Sequence, residues 1–146
     1  PEHQNLKFKI ENLKLQDKVI FMENLHKDYV NALYQNAELF ILLPQDDQKD
    51  IEGFGLVFLE AAACGLPVIS TKNTSAEDAV RDGRNGILVP TRSSHKVAEA
   101  IIKILSDKNL KKSFAEESLK FAREMSWDKA AHSYVAIYQT LNGTTQ

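Results

Sequence analysis

Four short apolar runs shape the first ninety residues of the chain: VIFM (19–22), LFILL (39–43), PVIS (67–70) and GILVP (86–90). Each is continuous rather than alternating, which is the pattern of a strand covered on both faces. Between the runs the spacing turns helical. Tyr29, Leu33 and Ala37 fall on one helical face, and a further helix is expected from about Val57 to Ala63, stopping at Gly65 ahead of Pro67. Strand, helix, strand, helix predicts an α/β chain with a parallel sheet of about four strands and flanking helices. After the last run only helical spacing remains: Val97, Ile101 and Leu105; Leu110, Phe114 and Phe121; Trp127, Ala131, Tyr134, Tyr138 and Leu141. Ser94, Asp107 and Ser126 stand where the caps of these three helices belong, and the tail NGTTQ has the composition of a frayed end.

At 146 residues, 43% apolar and 26% charged, the chain is sized for one domain with one sizeable core. A formal charge of −2, with Lys and Arg scattered among acids, supplies no field that would gather nucleic acid or an anionic membrane, so no nucleic-acid partner is expected. The apolar runs fall far short of the roughly 20 residues of a spanning helix, and no charged-then-apolar leader opens the chain. A cytoplasmic protein without a transmembrane segment is the expectation. Cys64, in the small apolar run AAACG, is expected as a buried thiol, and a single cysteine builds no disulfide framework.

The segment EGFGLVFLEAAACGLP (52–67) carries the chemistry. Gly53 and Gly55 bracket Phe54, and a helix is expected to start directly after them. Glycine lets backbone approach a ligand closely, while a helix start offers unpaired N–H groups and about half a positive charge. Such a place suits phosphate or another anion. Glu60 follows Gly55 by five residues, about 7 to 8 Å along the axis at roughly 1.5 Å per residue. That separation fits a diphosphate at the helix tip with a ribose beside Glu60, and Glu52 facing the group beyond the phosphates. From spacing alone, a turn that serves packing and an ordinary helical glutamate account for these residues equally well. The dinucleotide fingerprint fits poorly: nine residues (44–52) separate strand from Gly53, and Phe58 stands where its third glycine belongs.

Glu52, a seven-residue gap and Glu60, with GFG after the first acid and GLPVI further on, resemble the signature of the family 4 retaining glycosyltransferases, which have the GT-B fold. NAELFILLP, DAVRDGRNGILVP and SWDKAAHSYVAIY resemble the family's flanking segments, so the likeness runs from about Val19 to Tyr138. It implies a Rossmann-like, partial C-terminal lobe of a glycogen-synthase-like enzyme over residues 1–146. Such a lobe binds a nucleotide sugar, whose glycosyl group moves to an acceptor with retained configuration. On matching positions the resemblance implies that Glu52 contacts the sugar near its reacting carbon. Gly53, Phe54 and Gly55 would hold sugar hydroxyls, the amides of Leu56 and Val57 would meet the diphosphate, and Glu60 would bind the ribose. No metal and no cofactor are implied, since the helix tip takes the place of a cation. Asp46, Asp47 and Asp50 are expected in a solvated loop.

Two departures from the family pattern stand out. Nothing before Val19 resembles the two opening strands of the family's donor lobe or the arginine and lysine that follow the first, and the N-terminal lobe has no counterpart. The expectation is therefore an N-terminally incomplete lobe, inactive alone, whose missing partner is the N-terminal lobe of a parent chain. Exposed strand edges would favour self-association, with VIFM moving beside LFILL or pairing with another chain. The second departure follows PVIS, where STKNTSAEDAV replaces a glycine pair.

Other classes fit less well. The four histidines are dispersed without metal-ligand spacing, and neither a nucleophile elbow nor a P-loop is present. His26 could reach a ligand at the strand ends or be a surface residue near a helix start. A glycoside hydrolase using Glu52 and Glu60 leaves the anion-binding turn without purpose. A non-catalytic nucleotide or protein-interaction module of the same architecture stays open.

Overall fold

The computed structural model describes residues 2–45 and 55–143. Glu52, Gly53 and Phe54, together with Asp46, Asp47 and Asp50, lie outside the described residues. The chain divides into two compact units, Pro1–Asn31 and Ala32–Gln146.

The first unit holds helix α1 (Glu2–Asn12) and the beginning of α2 (Lys27–Asn36). α1 closes with Lys14 at a φ of 54° and the Leu15 N–H donating to the Ile10 carbonyl, a left-handed helix stop made without glycine. The run 19–22, expected as a strand, belongs to none. A strand exists only through its ladder, and an apolar run specifies burial without naming a partner.

The second unit is built on a parallel sheet of three strands, β1 (Phe40–Ile41), β2 (Val68–Thr71) and β3 (Gly86–Val89), in the order β1-β2-β3. Phe40 pairs with Val68, and Val68 with Gly86. β1 therefore has β2 beside it in the ladder. The first crossover contains α3 (Leu56–Ala63), and the second a 3-10 turn (Ser75–Asp78). Three helices close the chain: α4 (Ser94–Ser106), α5 (Lys108–Glu124) and α6 (Trp127–Gly143).

Apolar side chains cover the sheet on both sides, which is why the runs do not alternate. On one face Val68 and Leu88 pack with Phe58 and Ala62 of α3, Phe121 of α5, and Ala76, Ala79 and Val80 around the 3-10 turn. On the other, Ile69 and Val89 pack with Ala100 and Ile104 of α4 and Phe114 of α5. α5 thus reaches both clusters. Every residue of β2 is buried, and burying each of Val68 and Ile69 contributes about 1.5–3 kcal/mol.

The caps follow elementary rules with one displacement. Asp107 Oδ1 accepts from the Asn109 and Leu110 N–H groups at 2.9 and 3.0 Å, and Ser126 Oγ stands 3.5 Å from the Lys129 nitrogen. Ser94 is the first helical residue of α4, so the cap position falls to Ser93. Cys64, expected in the core, is exposed. α3 turns Phe58, Ala61 and Ala62 inward, and about 100° per residue puts Cys64 on the same outward face as Leu56 and Glu60.

Candidate functional site at the tip of helix 3

Ligands of parallel α/β sheets settle at the carboxyl ends of the strands. Here those ends lead into residues 42–45, 72–75 and 90–93. Ser70 Oγ donates to the Leu42 carbonyl at 2.8 Å, and Thr71 Oγ1 donates to the Pro44 carbonyl. Two buried hydroxyls of β2 thus fix the course of the chain as it leaves β1, satisfying themselves and two carbonyls together.

α3 begins at Leu56, directly after Gly55. Gly55 is left-handed, with φ 68° and ψ 65°, and it gives the helix no side-chain cap. A Cβ there would lie 2.8 Å from Phe58 Cδ2, so both the backbone angle and the buried Phe58 ring demand glycine. The Leu56 and Val57 N–H groups open the helix, where intrahelical acceptors are lacking and the macrodipole is positive. Leu56 and Val57 expose 56% and 37% of their surface, so this tip is open to solvent.

Glu60 lies on the outward face of the same helix, and its Oε2 is 3.4 Å from the Tyr34 hydroxyl of α2. Burial raises the Tyr34 phenol above its ordinary value, and the neighbouring Glu60 carboxylate raises it further. The Tyr34 ring sits 5.8 Å from Phe40, centroid to centroid, and Phe40 meets Phe58 edge-on at the same separation. Three rings therefore run from Glu60 to the face of Gly55. Sequence spacing singled out Gly55 and Glu60, and the family resemblance Leu56 and Val57; Leu56, Val57 and Glu60 share one helix, with Gly55 at its N-cap. Tyr34 escaped both, because a contact spanning 26 residues leaves no periodic trace.

Where the family pattern has glycines after β2, this chain forms its turn with polar residues. Asn73 takes a φ of 58° and donates its N–H to Glu77 Oε1. Thr74 accepts from the Ala76 N–H and donates to the Thr71 carbonyl, capping the 3-10 turn. Asparagine tolerates the left-handed region better than most residues. Between the ends of β1 and β3 an open cleft of about 370 Å³ is lined by Leu43, Gln45, Pro90, Arg92, Ser94 and Val97 among others, and Arg92 Nε donates to Gln45 Oε1 at 3.2 Å. Residues of α3 are not among its walls. In the first unit His26 Nδ1 lies 3.2 Å from Asp28 Oδ2 at the start of α2, with its side chain exposed. Among the described residues no cluster of acids, histidines and cysteine could hold a metal ion, and no helix is long and apolar enough to cross a membrane.

This arrangement can be compared with known proteins. The chain is 28% identical over 136 residues to an uncharacterized glycosyltransferase of Methanocaldococcus jannaschii, covering 92% of this chain and 38% of that protein. It superimposes on the C-terminal domain of a glycosyl transferase group 1 family protein (LpcC) from Francisella tularensis with a TM-score of 0.70 and 26% identity, over 84% of this chain and 61% of that one. Anabaena Alr3699/HepE in complex with UDP-glucose matches with a TM-score of 0.76 and 26% identity, over 96% of this chain and 36% of that one. The chain spans well under half the length of the curated relatives it matches. Its neighbours are GT-B glycosyltransferases, and the family model for glycosyl transferases group 1 matches residues 1–121. The chain belongs to the glycosyl transferases group 1 family.

Proposed function

We propose that this chain is the donor-binding, C-terminal lobe of a retaining, family 4 glycosyltransferase that moves a glycosyl group from a nucleoside-diphosphate sugar to an acceptor. The observation that carries the reading is the left-handed Gly55 opening α3, with Glu60 facing outward one and a half turns further on. Support also comes from Alr3699/HepE, which holds UDP-glucose on a similar fold, and from the domain of LpcC, which is a C-terminal one.

In this reading the Leu56 and Val57 amides bind the diphosphate, with the helix tip in place of a metal ion. Glu60 takes the ribose hydroxyls. Gly53, Phe54 and Gly55 hold the sugar, and Glu52 stabilises charge at its reacting carbon. A facing N-terminal lobe would bring the acceptor, the protein would work in the cytoplasm, and this lobe alone would not transfer the sugar.

Calorimetric titration of the full-length protein with UDP, GDP and ADP tests the reading. One of them should bind, and Glu60→Ala should weaken it by about ten- to a hundred-fold, because one or two hydrogen bonds to a charged group, about 1.5–3 kcal/mol each, are lost. Glu52→Ala should lower turnover more than nucleotide affinity. Binding of none of the three, or a Glu60→Ala protein with unchanged affinity, contradicts the assignment.

A further inference from the structure

We propose that Tyr34 is a positioning residue for Glu60, holding one carboxylate oxygen so that the other faces the ribose of the donor. The inference rests on the nucleotide reading above and adds a residue to it. Its starting point is the contact of the Tyr34 hydroxyl with Glu60 Oε2. Glu60 is an exposed glutamate on an eight-residue helix, and by itself such a side chain samples several rotamers. A ligand that uses it must otherwise stop that motion, at a cost in side-chain entropy.

Tyr34 is well placed to remove that cost. Its ring packs against Phe40 of β1, Phe40 packs edge-on against Phe58, and Phe58 is fully buried beneath the Gly55 turn. The phenol is thereby anchored to the sheet and to the helix tip that Glu60 must work with. A phenol has one proton to donate, and burial together with the Glu60 carboxylate disfavours its loss. Donating to Oε2 leaves Oε1 as the acceptor for a ligand hydroxyl, and leaves the phenol oxygen able to accept a second. At 3.4 Å the contact is longer than the roughly 2.7 Å of a strong O–H···O bond. Such bonds are often long in the free protein and shorten with ligand in place.

A double-mutant cycle in the full-length protein decides the matter. Wild type, Tyr34→Phe, Glu60→Ala and the double variant are titrated with whichever of UDP, GDP and ADP binds, and with its 2′,3′-dideoxy counterpart. Tyr34→Phe keeps the ring and its packing, and thermal melting checks the fold. The expected result is a loss of about three- to ten-fold in affinity for the ribonucleotide, no loss for the dideoxy compound, and no added effect when Glu60 is already alanine. A phenol that merely supports the fold would weaken both nucleotides alike and would do so in both backgrounds. That outcome, or a silent Tyr34→Phe beside an effective Glu60→Ala, overturns the role of Tyr34 and spares the nucleotide reading. An ineffective Glu60→Ala removes both.

Discussion

Gly55 carries two constraints that single substitutions can separate. Its φ of 68° strains any residue with a Cβ, and the Phe58 ring leaves that Cβ only 2.8 Å. Gly83 has the first constraint without the second, because its φ is 75° and nothing lies within 4 Å of the position of a Cβ. Gly83→Ala should therefore cost about 1–2 kcal/mol in urea unfolding, the ordinary penalty of a left-handed side chain. Gly55→Ala should cost about 1–3 kcal/mol more, because a packed aromatic ring must shift. Equal losses at the two positions would mean that Phe58 moves aside freely. In that case the helix tip is less rigid than the three-ring packing implies.

At the scale of elements, α5 is tied to the turns before β2 and β3 by polar contacts that the sequence does not advertise. Ser118, fully buried on α5, donates to the Leu66 carbonyl at 2.7 Å and approaches the Asn85 carbonyl at 3.4 Å. Beside it Arg84 Nη2 meets Glu117 Oε2 at 2.7 Å. The Arg84 hydrogen bond holds the Glu117 carboxyl below its ordinary range, against the opposing pull of burial. A carboxyl lowered in the folded state lends stability above its unfolded-state value and loses it as pH falls through the lowered one. Glu117→Gln should thus destabilise the fold modestly at neutral pH, and the gap to wild type should close in acid and shrink in high salt. Melting curves across pH that stay parallel would refute this. The apolar skeleton was far easier to read than these ties. β2, β3, α3 and the three closing helices follow from runs and periods, and Gly55 and Glu60 from a turn followed by a helix. The run 19–22 misled because burial and pairing are different demands, and Cys64 misled because small neighbours do not reveal which way a helix faces. Ser118 and Tyr34 act through contacts across 52 and 26 residues, where a single sequence holds no periodic signal.

Across the whole molecule, burial is distributed so unevenly that local stability must differ between the two units. In the second unit β2 lies between two apolar clusters, and Val68 and Ile69 expose none of their surface. In the first, none of residues 4–31 is buried, and Phe8, Leu13 and Ile20 expose 65%, 67% and 76%. Opening free energies range from about zero for segments with few buried contacts up to the global value for core strands. Removing α1 from its helical state therefore exposes little that was covered, whereas separating β2 from its neighbours exposes most of the core. Hydrogen exchange on this chain should show the amides of α1 exchanging fast, close to the rate of an unstructured peptide. The amides of Ile69, Ser70 and Thr71 should exchange only through global unfolding, with the slowing set by the denaturant-derived stability. Trypsin should cut first at Lys7, Lys9, Lys14 or Lys18, and leave a resistant product that retains the sheet. Equal protection of α1 and β2, or first cleavage within α4 or α5, would show that the first unit is held by contacts its burial does not record.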